Sequence, residues 1–170
     1  MDDISRVDGF QIVQKLGSGG YGEIFSVENS HTHKLFALKT ENIDTKNRAM
    51  ANEIKILQLL PENSCFPHVI AQGNTLSVNY FVMPLYGPSL SSMRHNIEGE
   101  HFSLPTVFRI ARETINIIQT LHSCGIVHCD VKPSNFLLNQ ISIGGFVLID
   151  FGLSAPYTNK DGSLIEIHNS

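Results

Sequence analysis

The sequence predicts an α+β fold in two parts, a strand-rich half followed by a helix-led half, and three features carry that expectation. From Phe10 to Glu41 the runs "FQIVQKL", "GEIFSV" and "KLFALKT" read as three antiparallel strands in a meander, separated by the glycines between Gly17 and Gly22 and by the turn "ENSHTH". Residues Thr45 to Leu60 change to helical spacing, with Met50, Ile54 and Leu57 at i, i+4 and i+7, and Pro61 closes the run. "PLYGPSL" then places two prolines and a glycine close together, which predicts a boundary between the halves.

The remaining elements follow in order. "HVIAQG" and "SVNYFVM" read as two further strands, making five in the first half. Beyond the boundary, Ser103 is a good N-cap, Pro105 falls in the first turn, and Val107, Ala111, Ile115, Ile118 and Leu121 mark one face of a long buried helix ending before Gly125. Short apolar pieces come after it: "GIVH", "NFLLN" and "FVLID".

Composition narrows the function classes. A chain of 170 residues with 42% hydrophobic and 16% charged residues suits one soluble domain, and a net charge of -4 gives no basic surplus for nucleic acid. Cys65, Cys124 and Cys129 form no CxxC pair, so neither a disulfide framework nor a zinc site is supported; of the eight histidines, His31 and His33 flank a polar turn and the others lie far apart, so they form no metal constellation. The N-terminus is acidic and no apolar run approaches the ~18 residues of a membrane span, so an intracellular protein, cytoplasmic or nuclear, is expected.

Four short patterns carry chemistry. In "LGSGGYGEI", Gly17, Gly19 and Gly22 fit G-x-G-x-x-G, with Leu16 before them and Ile24 after. A glycine cluster between strands is by itself an ordinary hairpin. Because this one opens no helix, it fits a flap whose backbone N–H groups close over phosphates better than a dinucleotide-binding turn. In "FALK", Lys39 interrupts an apolar strand. It could snorkel from a sheet edge, but Glu53, the only acid in "NRAMANEIKILQLL", can reach it from the neighbouring helix and hold it against α- and β-phosphates.

The third pattern is "HCDVKPSNF", which matches H-x-D-x-K-x-x-N through His128, Asp130, Lys132 and Asn135. So spaced, the aspartate can accept the proton of an attacking hydroxyl, the lysine can neutralise charge on a transferring phosphoryl group, and the asparagine oxygen can bind magnesium. In the fourth, "IDFG", Asp150 leaves a buried strand and would take the bridging metal ion; alone, it would read as a type I turn begun by Asp.

The order and placement of the four patterns agree with the protein-kinase signature set. From about Phe10 to Tyr157 the sequence resembles a eukaryotic protein kinase. Within that superfamily, "PLYGPSL" and the stretch "FSLPTVFRIARETINIIQTLHSCGIVHCDVKPSNF" resemble the casein kinase 1 group, in particular its tau-tubulin kinase-like and nematode-expanded relatives, chiefly through G-P-S-L and K-P-S-N-F.

The resemblance implies a two-lobe kinase fold, with a complete N-lobe of five antiparallel strands plus one helix, and a partial helical C-lobe. Residues 1–9 would be a tail, 10–83 the N-lobe, 84–88 the hinge, 89–157 the C-lobe part and 158–170 the start of an activation segment. Leu16, Gly17, Gly19, Gly22, Lys39 and Glu53 would face ATP. Met83 would be the gatekeeper, with the Pro84 carbonyl and the Tyr86 backbone facing adenine, while Ile24, Ala37 and Leu137 sandwich the ring and Ile149 lies beneath it. Asp130 and Lys132 would be catalytic, and Asn135 and Asp150 would hold magnesium. Leu57, His128 and Phe151 would stack between the lobes. Lys132 two residues after Asp130 is the serine/threonine-kinase pattern, so the implied partner is a protein substrate offering a Ser or Thr hydroxyl.

Two departures bear on these expectations. Cys129 stands where most of the family carries an arginine that meets a phosphorylated activation loop, which argues against that form of switching. Ser170 falls within the implied activation segment, so the long helix is expected to expose apolar surface and Thr158 to Ser170 to be loosely placed. A non-catalytic reading stays open at this point: a half-kinase that binds nucleotide or docks on a partner.

Overall fold

A computed structural model describes residues 6–19, 22–45, 49–139, 145–159 and 163–165. The five expected strands are present as β2 (Phe10–Gly19), β3 (Gly22–Asn29), β4 (Leu35–Asn42), β5 (Ala71–Asn74) and β6 (Val78–Pro84). A short strand β1 (Arg6–Val7) lengthens the sheet, so that the antiparallel order among the described residues is β1-β2-β3-β4-β6-β5. It arises from "VDGF": Asp8 and Gly9 both have positive φ, at 45° and 81°, the requirement of a type I′ turn, and Val7 pairs with Phe10. "HVIAQG" contributes only its second half to β5, although the Ile70 N–H just before it still bonds Val82 O at 2.8 Å.

Period-two alternation sorts β4 into two faces. Leu38 faces a cluster with Val7, Phe10, Val27, Tyr80 and Val82, whereas Ala37 and Lys39 face helix α1 (Ala49–Leu59) and the rest of the molecule. Helix α1 buries Met50, Glu53, Ile56 and Leu57. Its first turn is held from β4, where the buried Glu41 accepts the Met50 N–H at 3.1 Å, a carboxylate at the positive end of the helix.

The linker after β6 is sewn to the second half by backbone bonds, Gly87 N–H to Leu138 O at 2.9 Å and Leu138 N–H to Pro88 O at 3.0 Å. Helix α2 (Leu90–His95) starts at Ser89, whose hydroxyl accepts from Ser92 N–H. Helix α3 (Leu104–Ser123) is followed by β7 (Ile126–Val127), β8 (Phe136–Asn139), β9 (Gly145–Leu148) and β10 (Ala155–Pro156); β8 pairs with β9 and β7 with β10. One apolar cluster runs from Met50, Leu57 and Phe81 through Ile117, Leu121 and Leu148 to Phe151, and so joins the halves.

Helix α3 bears out part of the expected face, since Leu121 is buried and Ile118 packs against the core, and corrects the rest. Ile117 and Leu121 are buried and Ile110 packs beside them, whereas Val107 is exposed and Ile115 is 64% exposed. The apolar residues of α3 form two neighbouring stripes about one residue (~100°) apart, and spacing alone cannot choose between them. Contact with β7 and β9 selects the stripe of Ile110, Ile117 and Leu121. Leu104 and Phe108 are exposed. Ser103 occupies the N-cap position, but its hydroxyl bonds Thr106 Oγ1 instead of a backbone N–H.

The expected looseness after Thr158 is also corrected where the chain is described. Thr158 bridges Leu164, Asn159 N–H bonds Ser163 O at 2.8 Å, Ile165 N–H bonds Tyr157 O at 2.9 Å, and the Tyr157 hydroxyl donates to His122 O. Backbone pairing there does not need a large apolar core. The remainder of that expectation, 160–162 and 166–170, lies outside the described residues.

The rotation of α3 has a direct consequence for stability. Leu121→Ala should cost about 2–5 kcal/mol, the usual range for a buried leucine, and Ile115→Ala should stay within about 0.5 kcal/mol. Urea unfolding of the two variants beside the parent reads both; equal losses would contradict the observed face.

Candidate active site

The site forms where the β2–β3 hairpin, β4, α1 and the segments flanking β8 and β9 converge. Lys39 projects from β4 into this region and is nearly buried. Its ammonium lies 2.6 Å from Glu53 Oε2 and 2.8 Å from Asp150 Oδ1. Burial works against the Lys39 charge, but the carboxylates of Glu53 and Asp150 outweigh it and raise its pKa above the ordinary value. Burial pushes the Glu53 carboxyl upward, with the Lys39 ammonium pulling the other way.

Asp150 sits at φ 69°, ψ 67°, in the left-handed region, at the head of a single 3-10 turn, Phe151–Leu153. The second oxygen of Glu53 accepts the Phe151 N–H at 3.3 Å. The Phe151 ring is fully buried, edge-on to Phe66 and to His128 with centroids 6.0 and 5.0 Å apart. Leu57 belongs to the same apolar cluster as Phe151, and His128 is brought beside it by the ring contact.

The His128 tautomer follows from its partners. Nε2 faces the Ile149 carbonyl oxygen at 3.0 Å and so carries the proton, while Nδ1 accepts the Asp130 N–H at 3.2 Å. In its neutral form the ring therefore ties the Ile149 backbone to the Asp130 backbone within the second half, and burial lowers its pKa. Ser154, itself buried, donates its hydroxyl to His128 O at 3.1 Å.

Asp130 and its companions occupy the loop between β7 and β8. Lys132 Nζ donates to Asp130 Oδ2 at 2.6 Å, and the Asn135 amide nitrogen donates to Asp130 O at 2.9 Å and to Asp130 Oδ2 at 3.2 Å. The Lys132 hydrogen bond is the main reason the Asp130 pKa lies below the ordinary carboxylate value. With its nitrogen used in this way, Asn135 keeps its amide oxygen for another partner. Cys129 is exposed and has φ 64°; its thiol is free.

These groups share one cleft. A cavity of about 590 Å³ is lined by Leu16, Gly17, Gly22 and Ile24 from the hairpin, Lys39, Glu53 and Met83 from the sheet and α1, and Asp130, Lys132, Asn135, Ile149 and Asp150 from the second half. A more apolar slot of about 480 Å³ continues from it between Ala37, Met83, Pro84, Tyr86, Leu137 and Ile149. Gly19 pairs with Gly22 at the hairpin end, while residues 20 and 21 lie outside the described residues. Gly22 has φ 143° and lies so close to β4 that an added Cβ would be 1.7 Å from Thr40 O, so no other residue fits there unchanged. Burial pushes the Tyr86 hydroxyl up to about 12, which keeps it neutral at physiological pH.

The structure thus brings the expected site residues together around the cleft. Asn52 went unrecognised in the sequence, yet its amide nitrogen donates to Gly152 O at 3.0 Å and Ser154 O at 2.9 Å. Its adjacency to Glu53 was the one available signal, because its partners lie some hundred residues away.

A lysine held by a helix carboxylate beneath a glycine-rich hairpin, opposite a carboxylate loop, is the arrangement found in the clefts of protein kinases. The sequence profile of the protein kinase domain matches residues 10–166, and the chain belongs to that family. It is similar to a protein of Dictyostelium discoideum described as a probable serine/threonine-protein kinase, with 35% identity over 155 residues. The match takes in 90% of this chain and 31% of that relative, so the chain spans less than a third of the relative's length.

Neutral His128 makes stability depend on pH. The unfolded chain takes up a proton near pH 6.5 and the folded chain resists it to lower pH, so stability is full above about 6.5 and falls as pH drops from there toward the folded value. Thermal unfolding between pH 7.5 and pH 5 should show this fall, and His128→Phe should flatten part of it whatever its absolute stability. An identical slope in the variant would refute the assignment.

Proposed function

We propose that the protein is a serine/threonine protein kinase that transfers the γ-phosphate of ATP to protein hydroxyls, with magnesium as its metal. The observation that carries this reading is Lys39, bonded at once to Glu53 and Asp150 on the wall of a cleft whose opposite side presents Asp130 and Asn135. The slot lined by Ala37, Met83, Pro84, Tyr86, Leu137 and Ile149 suits the adenine ring, and the hairpin of Leu16, Gly17, Gly19, Gly22 and Ile24 covers the phosphates.

The Asp130 carboxylate is held by two hydrogen bonds to Oδ2, from Lys132 and Asn135, and Asn135 also bonds the Asp130 carbonyl. With its pKa depressed, it is a weak base. It orients the substrate hydroxyl and takes the proton late, as the oxygen forms its bond to the γ-phosphorus and the bond from that phosphorus to the β-phosphate oxygen breaks, releasing ADP. Lys132 offsets negative charge on the phosphoryl group in transit, and Lys39 holds the α- and β-phosphates.

The donor set suits magnesium. The free amide oxygen of Asn135 and the Asp150 carboxylate face the same cavity, and a hard cation that takes few protein ligands completes its shell with water and phosphate oxygens. Among the described residues no group of three or more His, Cys, Asp or Glu could hold a metal unaided, which fits an ion shared with the substrate. Bound there, magnesium would supply positive charge across the phosphate oxygens.

The finer reading is a casein kinase 1-like enzyme, resting on "GPSL" and "KPSNF"; Lys132, separately, implies serine or threonine acceptors. Cys129 supplies no charge for a phosphorylated loop, so activity is independent of such a phosphate in this reading. Its place is the cytoplasm or nucleus, its partners are protein substrates and neither nucleic acid nor membrane is engaged. No helix among the described residues is long and apolar enough to cross a membrane.

Asp130→Asn in the full-length protein tests the reading. Transfer of radiolabelled phosphate to casein-like peptides should fall by about 10²–10⁴-fold, the usual worth of a positioned acid–base group, with nucleotide affinity unchanged within about twofold. Undiminished transfer would remove Asp130 from the chemistry.

A further inference from the structure

We propose that Asn52 is a positioning residue that sets Asp150 for metal binding, an inference that rests on the reading of Asp150 given above. Helix α1 grips the turn after Asp150 with two consecutive side chains. Glu53 Oε1 takes the N–H at the start of the turn, that of Phe151. The Asn52 amide nitrogen takes carbonyls toward its end, Gly152 O at 3.0 Å and Ser154 O at 2.9 Å, with Phe151 O at 3.5 Å. Each of these partners of the amide nitrogen is a carbonyl oxygen, so the NH₂ end and not the oxygen end belongs there.

The turn needs such support. It is one 3-10 turn, closed by Ser154 N–H to Phe151 O at 3.0 Å, with no further turn to satisfy its terminal carbonyls. Asp150, immediately before it, holds a left-handed conformation that costs about 1–3 kcal/mol for a non-glycine residue and persists only where the surroundings over-determine it. Ala49 closes the remaining space: a Cβ added at Gly152 would be 3.2 Å from Ala49 Cβ. Loss of the Asn52 donors lets the turn relax away from α1, and the Asp150 carboxylate, now at Lys39, loses its aim into the cleft.

Binding of a fluorescent N-methylanthraniloyl ATP, titrated with and without magnesium on the full chain, tests this without relying on turnover. Wild type should bind more tightly with magnesium, and Asp150→Asn should lose that increment. Asn52→Leu and Asn52→Asp keep the size of the side chain but remove its donors. Both should reduce the magnesium increment about tenfold, as loss of a group supporting a metal ligand does, and keep metal-free affinity within about twofold. An intact increment in both, with Asp150→Asn having lost it, overturns the role of Asn52 and leaves Asp150 standing. An intact increment in Asp150→Asn overturns the metal reading and this inference with it. Loss of metal-free binding in both Asn52 variants makes Asn52 a folding residue and also overturns the proposal.

Discussion

Lys39 carries a charge in a place with little water, and it does so because Glu53 and Asp150 meet it at 2.6 and 2.8 Å. Desolvation costs several kcal/mol per buried ion, recovered only when the partners stay close and well aligned. The three groups belong to β4, to α1 and to the segment after β9, so the electrostatic demand of one lysine ties together parts of the chain up to 111 positions apart. Removing one partner from such a set leaves an uncompensated buried charge, at about 3–5 kcal/mol. The same contacts that stabilise the interior also bring the two walls of the cleft into register.

Neutral bonds complete what the charges begin. His128 links Ile149 to Asp130, Ser154 ties the turn after Asp150 back to His128, and Phe151 fills the space between Phe66 and the His128 ring. This network contains no group that must be phosphorylated to form. With cysteine at position 129, the loop that carries Asp130 is organised by the imidazole beside it and by Asn135, so the geometry at Asp130 does not depend on an arginine at that position.

The cleft divides by polarity along its length. Its charged end is enclosed by Lys39, Asp130, Lys132 and Asp150, and its apolar end by Ala37, Met83, Leu137 and Ile149. A ligand with a flat apolar ring at one end and several negative charges at the other matches both. Leu16, Gly17, Ile24, Met83 and Ile149 border both parts, so the hairpin meets the charged and the apolar end alike.

By itself the sequence determined the local chemistry: which residue types recur at which spacing, and the strand or helix that carries each. Gly17, Lys39, Glu53, Asp130, Asn135 and Asp150 were legible because short-range motifs depend on backbone geometry within a few residues. Even β1 was written locally, in the Asp8–Gly9 turn, although the pattern there was read as a tail. Tertiary structure decided which of two apolar stripes of α3 is buried, since both satisfy helical periodicity and only contact with β7 and β9 distinguishes them. It likewise decided that Asn52 meets Gly152 and Ser154, that His128 is neutral with its proton on Nε2, and that Thr158 folds back onto Leu164. Each of these depends on a partner brought close only when distant segments pack, which is information that no window of neighbouring residues contains.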